Sequence, residues 1–289
     1  MILVVGATGN LGGRVARMLL AQGQPVRILA RSQSNYQPLV DAGAQVVLGD
    51  LKQRSSLDPA CQGVETVITT ANSVARGGED NPQTVDLEGN RNLIDTAKAA
   101  GINQFIFVSA LTADPNSPVP FIQAKGKTED SLRASGLPYT IIAPHLYMEI
   151  WAAMVVGMPA MMGQPVTIVG GGRRKHSFIS ASDVAAFILA AIGNPAAINQ
   201  KLLLGGPQPF SFRDVVAIYE RVLGHRIQVR SVDPGEPVPG LPEIAAQLLV
   251  GLDTYDSPVD MTETARTFGI QLTPLEEVAR RTATSAASA

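Results

Sequence analysis

Short, continuous apolar runs alternate along the chain with stretches of helical periodicity. Ile2–Val5 leads into a helical pattern over 11–21, Val26–Ala30 into a short one near 35–42, and the run 44–48 into one at 55–61. The run 66–70 follows, then a helix over about 85–100 closed by Gly101, the strand Gln104–Val108, a helix around 124–135 closed by Gly136, and a strand at 139–142. Strands of this length and uniform apolarity, spaced by helices, are what a parallel sheet covered on both faces requires. The pattern predicts a doubly wound α/β fold. Beyond Pro144 it loosens into a methionine-rich stretch, then a strand at 165–169, a loop at 170–177, a helix at 182–192, a strand at 201–204 and a helix at 211–223. An amphipathic helix near 242–251, a last helix near 274–281 and a frayed tail at 282–289 complete the prediction, with no internal repeat. Residues 1–145 are expected to carry the main sheet, and 146–289 a smaller α+β region interwoven with it in a single unit.

Composition narrows the function classes. Hydrophobic residues make up 45% of the 289 and charged residues 17%, with net charge −2, so a large core is possible and no basic field draws in nucleic acid directly. The single cysteine, Cys61, excludes a disulfide framework and reads as a small residue packed in a turn. A strand already at residues 2–5 predicts no cleavable leader and hence a cytoplasmic protein, and the apolar stretch 151–162, broken by Gly157 and Pro159, is too short for a membrane span.

The most informative chemistry is the turn after the first strand, where Gly6, Ala7, Thr8, Gly9, Asn10, Leu11 and Gly12 form a G-x-x-G-x-x-G pattern opening a helix. Glycines there let backbone approach a ligand, and a pyrophosphate would meet backbone N–H groups and the positive end of a helix dipole. This is the Rossmann-type dinucleotide signal. A carboxylate at the end of the second strand would accept from a ribose 2′-hydroxyl and select NAD. The chain offers Arg31 and Ser32, which suit a 2′-phosphate, so NADP(H) is expected over NAD(H). Asp50 at the end of the third strand is placed for adenine with Leu51 as an apolar lid, and Thr70, Ala71 and Asn72 for the middle of the cofactor.

These residues resemble the NmrA-like branch of the atypical short-chain dehydrogenase/reductases, with its quinone-reductase and isoflavone-reductase-like members. The resemblance rests on the glycine turn, the Val26–Ala30 strand with Arg31, Gly49-Asp50, the stretch 90–101 followed by Phe105-Ile106-Phe107-Val108-Ser109, and Lys125-Gly126-Lys127-Thr128-Glu129. Ser135 to Ile141 with Pro144, and His176-Ser177-Phe178-Ile179 ahead of Asp183-Val184-Ala185, extend it to about Gly224. The resemblance implies that Ser109, Lys125 and Pro144 border the cofactor and that Lys125 orients its ribose or takes part in proton chemistry. The superfamily tyrosine four positions before the lysine is Phe121 here, and an arginine common before the proline is Ala143. A phenyl ring donates no proton. His145 is the candidate replacement, its pKa falling in a useful range.

The pocket expected from these residues comprises Phe121, His145, Tyr147, Met148 and Trp151, continuing into Met154, Met158, Met161 and Met162; such a lining suits a flat apolar guest. The alternative for the methionines is core packing. The run Arg173-Arg174-Lys175 reads as a solvated turn. Two functions stay open: hydride transfer from NADPH to a quinone-, enone- or aromatic-type acceptor, or a non-catalytic NADP(H)-sensing regulator or assembly factor acting on a protein partner, as a monomer or homodimer. The residues name no metal site.

Overall fold

The computed structural model describes residues 1–74, 76–236, 238, 241 and 243–287. In the first half of the chain the elements are β1 (Ile2–Val5), α1 (Asn10–Ala21), β2 (Val26–Ala30), α2 (Gln37–Asp41), β3 (Gln45–Leu48), α3 (Asp58–Cys61), β4 (Thr66–Thr69), α4 (Asn90–Ala99), β5 (Gln104–Val108), α5 (Pro120–Ser135) and β6 (Tyr139–Pro144). Then follow β7 (Leu146–Tyr147), α6 (Met158–Met161), β8 (Val166–Val169), β9 (His176–Ile179), α7 (Ala181–Ala191), β10 (Gln200–Leu204), β11 (Pro209–Phe210), α8 (Phe212–Leu223), β12 (Val229–Val232), α9 (Glu243–Leu252), α10 (Thr262–Phe268) and α11 (Leu275–Ala287). Two wide π-type helical segments, Pro82–Gly89 and Met148–Gly157, run directly into α4 and α6.

Two compact units result: Met1–Pro144 with Val184–Leu203, and His145–Asp183 with Leu204–Ala289. The first holds a seven-stranded sheet in the order β10-β6-β5-β4-β1-β2-β3, whose β1 to β6 pairings are all parallel. The strand order reverses between β1 and β4, the crevice at which such sheets take ligands. Leu3, Val67, Phe105, Phe107 and Ile141 are fully buried on it, together with Leu93 of α4 and Leu132 of α5. Each such side chain contributes about 1.5–3 kcal/mol of transfer free energy. β3 departs from the two-sided burial expected of it because it is an edge strand, with Leu48 53% exposed. α5 starts at Pro120 rather than 124, since proline is preorganised for a first helical turn.

Where the sequence assigns everything after 145 to the second region, the structure returns 184–203 to the first unit. β10 joins the sheet beside β6, and buried Gln104 ties that return in place, donating to the Ala191 carbonyl at 2.9 Å and accepting from the Gly193 amide at 2.8 Å.

The second unit holds a three-stranded sheet, β11-β9-β7, and a parallel β12-β8 pair. Phe178, Tyr219, Phe212 and Met148 fill its core, against which α8, α11 and the segment Met148–Gly157 pack. The periodicity gave no sign of β11, β12 or α10, which are short and only partly buried. α9 overlaps the helix expected at 242–251, although Pro242 lies outside the described residues. The tail is not frayed from 282: α11 runs to 287, supported by Arg280–Glu276 and Arg281–Glu277 pairs at i, i+4 and by alanines of high helix propensity. Residues 288–289 lie outside the described residues.

Candidate functional site

The glycine turn is built by three glycines with different duties. Gly6 has φ +83°, where an L side chain is strained, and a Cβ on it would sit 2.7 Å from Thr70 Oγ1. Gly12 is buried against the Gly6 carbonyl and Thr70, so any side chain there would collide with the turn itself. Gly9 is different: its backbone is extended (φ −86°, ψ 172°), it is exposed, and a Cβ would meet only the Gly6 carbonyl oxygen, at 3.3 Å. Gly9 caps α1 without a side-chain hydrogen bond, and no acidic residue stands in the first turn. The leading N–H groups of a helix without a side-chain cap are donors left for another partner. Thr8 and Asn10 are exposed beside it and Leu11 is half-buried.

Around this turn several expected contacts move inward. Thr70 Oγ1 lies over the Val5 and Gly6 carbonyls (3.3 and 3.4 Å) and braces the turn from behind. Leu51 is not a lid; it is buried in the core of the first unit, pressed on Gly89. Asp50 accepts from the Lys52 amide at 2.9 Å, Asn72 from the Val74 amide at 3.1 Å, and Ala71 is half-buried.

The end of β2 holds a surprise for a reading that sees no carboxylate there. Arg31 pairs with Asp80 at 2.6 Å, and the same carboxylate receives Lys52 at 2.8 Å and Arg76 at 3.1 Å. Chain distance hid this: Asp80 arrives from the segment after β4, 49 residues on. Ser32 Oγ, in contrast, only faces Gln33 Oε1 at 3.2 Å on the exposed side.

At the end of β5 the lysine is an interior group. Lys125 is 2% exposed; its ammonium lies 3.2 Å from Asp86 Oδ1, donates to the Val108 carbonyl at 3.2 Å, and stands 5.0 Å and 5.5 Å from the centroids of Phe107 and Phe121. Asp86 is wholly buried and accepts on Oδ2 from the Ser73 amide (3.0 Å) and hydroxyl (2.7 Å). Ser109 donates to Glu129 Oε1 at 2.6 Å, and Glu129 also holds Arg133 and Lys201. The hydroxyl proton of Ser109 is therefore engaged within the unit. Asp86 escaped sequence reasoning, its one available signal an acid set between Val85 and Leu87, and Glu129, named only as part of the stretch from Lys125, was given no role. Pro144 ends β6, buried, its carbonyl accepting from the Leu111 amide.

In the second unit, His145 Nε2 and His176 Nδ1 both meet Ser257 Oγ, at 2.5 and 2.6 Å. The Ser257 hydroxyl thus bridges the two imidazoles, with donor and acceptor roles set by their tautomers. His145 is buried, and its Nε2 is engaged with Ser257. Burial, then the neighbouring His176, pushes its pKa down to about 3. Such a group binds a proton more readily unfolded than folded, so its contribution to stability is complete above pH 6.5 and is lost as pH falls toward 3. We expect wild type to lose about 2 kcal/mol more than His145→Gln between pH 7 and 5, read from urea unfolding at both values; parallel losses would refute it. Met148 is core rather than lining, fully buried, while Tyr147 and Trp151 are partly buried, the latter against that core. Ile150, Met154, Met158 and Met162 are exposed. Cys61 is buried, and burial raises its thiol pKa to about 11. Arg174 and Lys175 pair with Asp256 and Asp214 in an exposed turn.

Among the described residues no helix is long and apolar enough to cross a membrane. The photosystem II assembly factor Ycf39 of Cyanophora paradoxa is 33% identical over 233 residues, 80% of this chain and 71% of that protein. An NAD(P)H azoreductase of Xenophilus azovorans is 30% identical over 262 residues, 90% of this chain and 84% of that one. Among solved structures, the NADPH-dependent quinone oxidoreductase QOR2 of Escherichia coli, complexed with NADPH, has a TM-score of 0.81 at 26% identity, covering 97% of this chain and 99% of that one. The family model for the NmrA-like family matches residues 1–275, and the chain belongs to that family.

Proposed function

We propose that this protein binds NADP(H) on its first unit and passes hydride from NADPH to an apolar quinone-, enone- or aromatic-type acceptor. The observation that carries the nucleotide half is the α1 terminus: without a side-chain cap, free of acid, and fronted by exposed Gly9, where a Cβ would meet only the Gly6 carbonyl oxygen, at 3.3 Å. The donor set fits a pyrophosphate, with Gly6 and Gly12 shaping the turn and Thr8, Asn10 and Leu11 beside it. Arg31 and Ser32 are assigned to the 2′-phosphate, Asp50 to the adenosine side, and Ala71, Asn72, Ser109, Lys125 and Pro144 to the strand ends that follow. When bound, the cofactor supplies the hydride. Lys125 supplies a fixed positive charge at the end of β5, held by Asp86. The acceptor half is supported by the reductases among the relatives and by chemistry that needs no phenol, since a quinone oxygen takes its proton from water.

A second reading is favoured by one specific arrangement: with Phe121 in place of a tyrosine and the polar groups of Ser109 and Lys125 engaged internally, the first unit is equally suited to nucleotide-dependent assembly work on a protein partner. Purified protein incubated with NADPH and a panel of quinones, azo dyes, enones and aldehydes separates the two. Turnover is expected with quinones, and Phe121→Tyr is expected to change it less than about threefold because no phenol proton is required. NADPH bound but consumed only at solution background would leave the second reading standing.

The phosphate assignment has its own check. Arg31→Glu is expected to weaken NADPH by roughly 1–3 kcal/mol, the scale of a charge-assisted hydrogen bond, with the new carboxylate facing Asp80. Equal calorimetric affinities of wild type for NADPH and NADH would end that assignment.

A further inference from the structure

Three cations converge on one carboxylate at the carboxyl end of the sheet. Arg31 follows β2, Lys52 lies just past β3, and Arg76 and Asp80 follow β4, so neighbouring strand ends bring the group together. Arg31 and Arg76 reach Asp80 Oδ2 and Lys52 reaches Oδ1. Asp80 is only 13% exposed, whereas the cations keep 28%, 26% and 38% of their side chains open to solvent. Lys52 also lies in the field of the Asp50 and Glu79 carboxylates, the latter 3.9 Å away and 97% exposed, so Asp80 is the carboxylate held among all three cations. A phosphate monoester carries about −1.5 to −2 near neutral pH, more than the single charge of the carboxylate it would replace among the three cations.

We propose that Asp80 is a built-in competitor for the 2′-phosphate: its carboxylate gathers Arg31, Lys52 and Arg76 into one anion site in the free protein and gives them up when a 2′-phosphorylated nucleotide binds. The inference rests on the NADP(H) reading and assigns Lys52 and Arg76, beyond Arg31, to the phosphate. It makes Asp80 a determinant of cofactor specificity, one that lowers the affinity the three cations would otherwise give. The lowered pKa of Asp80, set first by Lys52 and then by the two arginines against burial, is consistent with a carboxylate ionised under all ordinary conditions.

The test is calorimetric binding of 2′,5′-ADP and 5′-AMP to wild type and Asp80→Asn in the full chain. Removing the competing charge is expected to tighten 2′,5′-ADP about tenfold, between the bulk-water and surface limits for a unit charge about 4 Å away, and to leave 5′-AMP within about twofold. The melting temperature of the free variant is expected to fall, because its cations lose their shared partner, while its upward shift on adding 2′,5′-ADP grows. Binding of 2′,5′-ADP that is unchanged or weaker in Asp80→Asn, in a wild type that still prefers it over 5′-AMP, overturns the competitor role and spares the phosphate assignment. A wild type that does not distinguish the two nucleotides overturns both. Lys52→Gln and Arg76→Gln are each expected to weaken 2′,5′-ADP several-fold, and no effect from either overturns the three-cation site.

Discussion

Lys125→Ala is expected to destabilise the protein by about 3–5 kcal/mol, the cost of leaving a buried charge without its partner. Asp86 is wholly inside, and its Oδ1 has no hydrogen-bond donor; the Lys125 ammonium at 3.2 Å is what compensates it. Against a typical total of 5–15 kcal/mol, that loss leaves much of a marginal domain unfolded. Lys125→Met combined with Asp86→Asn is expected to recover at least half, because the amide oxygen still accepts from Ser73 and neither charge remains to be desolvated. Urea midpoints for the single and double variants decide it. A single-variant loss under about 1 kcal/mol, or a double variant no better than the single one, would show the pair to be energetically idle. The same expectation governs how activity data are read: a fall in turnover for Lys125→Ala must be compared at equal folded fraction, with Lys125→Arg as the form that keeps the charge.

The sequence made the first unit legible because its strands, the edge strand β3 apart, are short apolar runs buried on both faces, so pattern and burial coincide in strands such as Ile2–Val5 and Gln104–Val108. The second unit was harder. β12 runs half-buried, exposed, exposed, buried over four residues without alternation, and β11 has two residues, so neither offers enough pattern to distinguish it from a loop. The return of 184–203 to the first unit was hidden for another reason: it depends on an edge pairing and on bonds through the side chains of Gln104, Thr140 and Asn199, none of which leaves a periodic mark.

Of the site, the parts set by backbone were visible and those set by distant side chains were not. The glycine turn follows from local spacing. The ion pairs of Lys125 with Asp86 and of Arg31 with Asp80 join residues 39 and 49 apart, and nothing local in the sequence links them. Met148 and Leu51 misled for a related reason, because an apolar residue beside a ligand-binding stretch and one in the core look alike until burial is known.

Gly9→Val is expected to abolish NADPH binding, a loss of at least about 100-fold or ~2.7 kcal/mol, while the protein stays folded. The two halves of this expectation come from different features of one residue. Valine fits the backbone, since φ −86° and ψ 172° are extended values that a β-branched side chain favours, and its Cβ meets nothing but the Gly6 carbonyl oxygen at 3.3 Å. Its cost to the fold is that of a poor helix cap, about 1 kcal/mol. Its methyl groups, however, project into the open space ahead of the α1 N–H groups, the space the proposed pyrophosphate requires. Gly12→Val is the contrasting variant: its side chain would be driven into Thr70 and the turn, so loss of fold is expected there as well as loss of binding. Circular dichroism melts beside a fluorescence titration with NADPH distinguish the two variants. A folded Gly9→Val that binds NADPH as wild type does would place the nucleotide elsewhere on the protein and remove the basis of the proposed function.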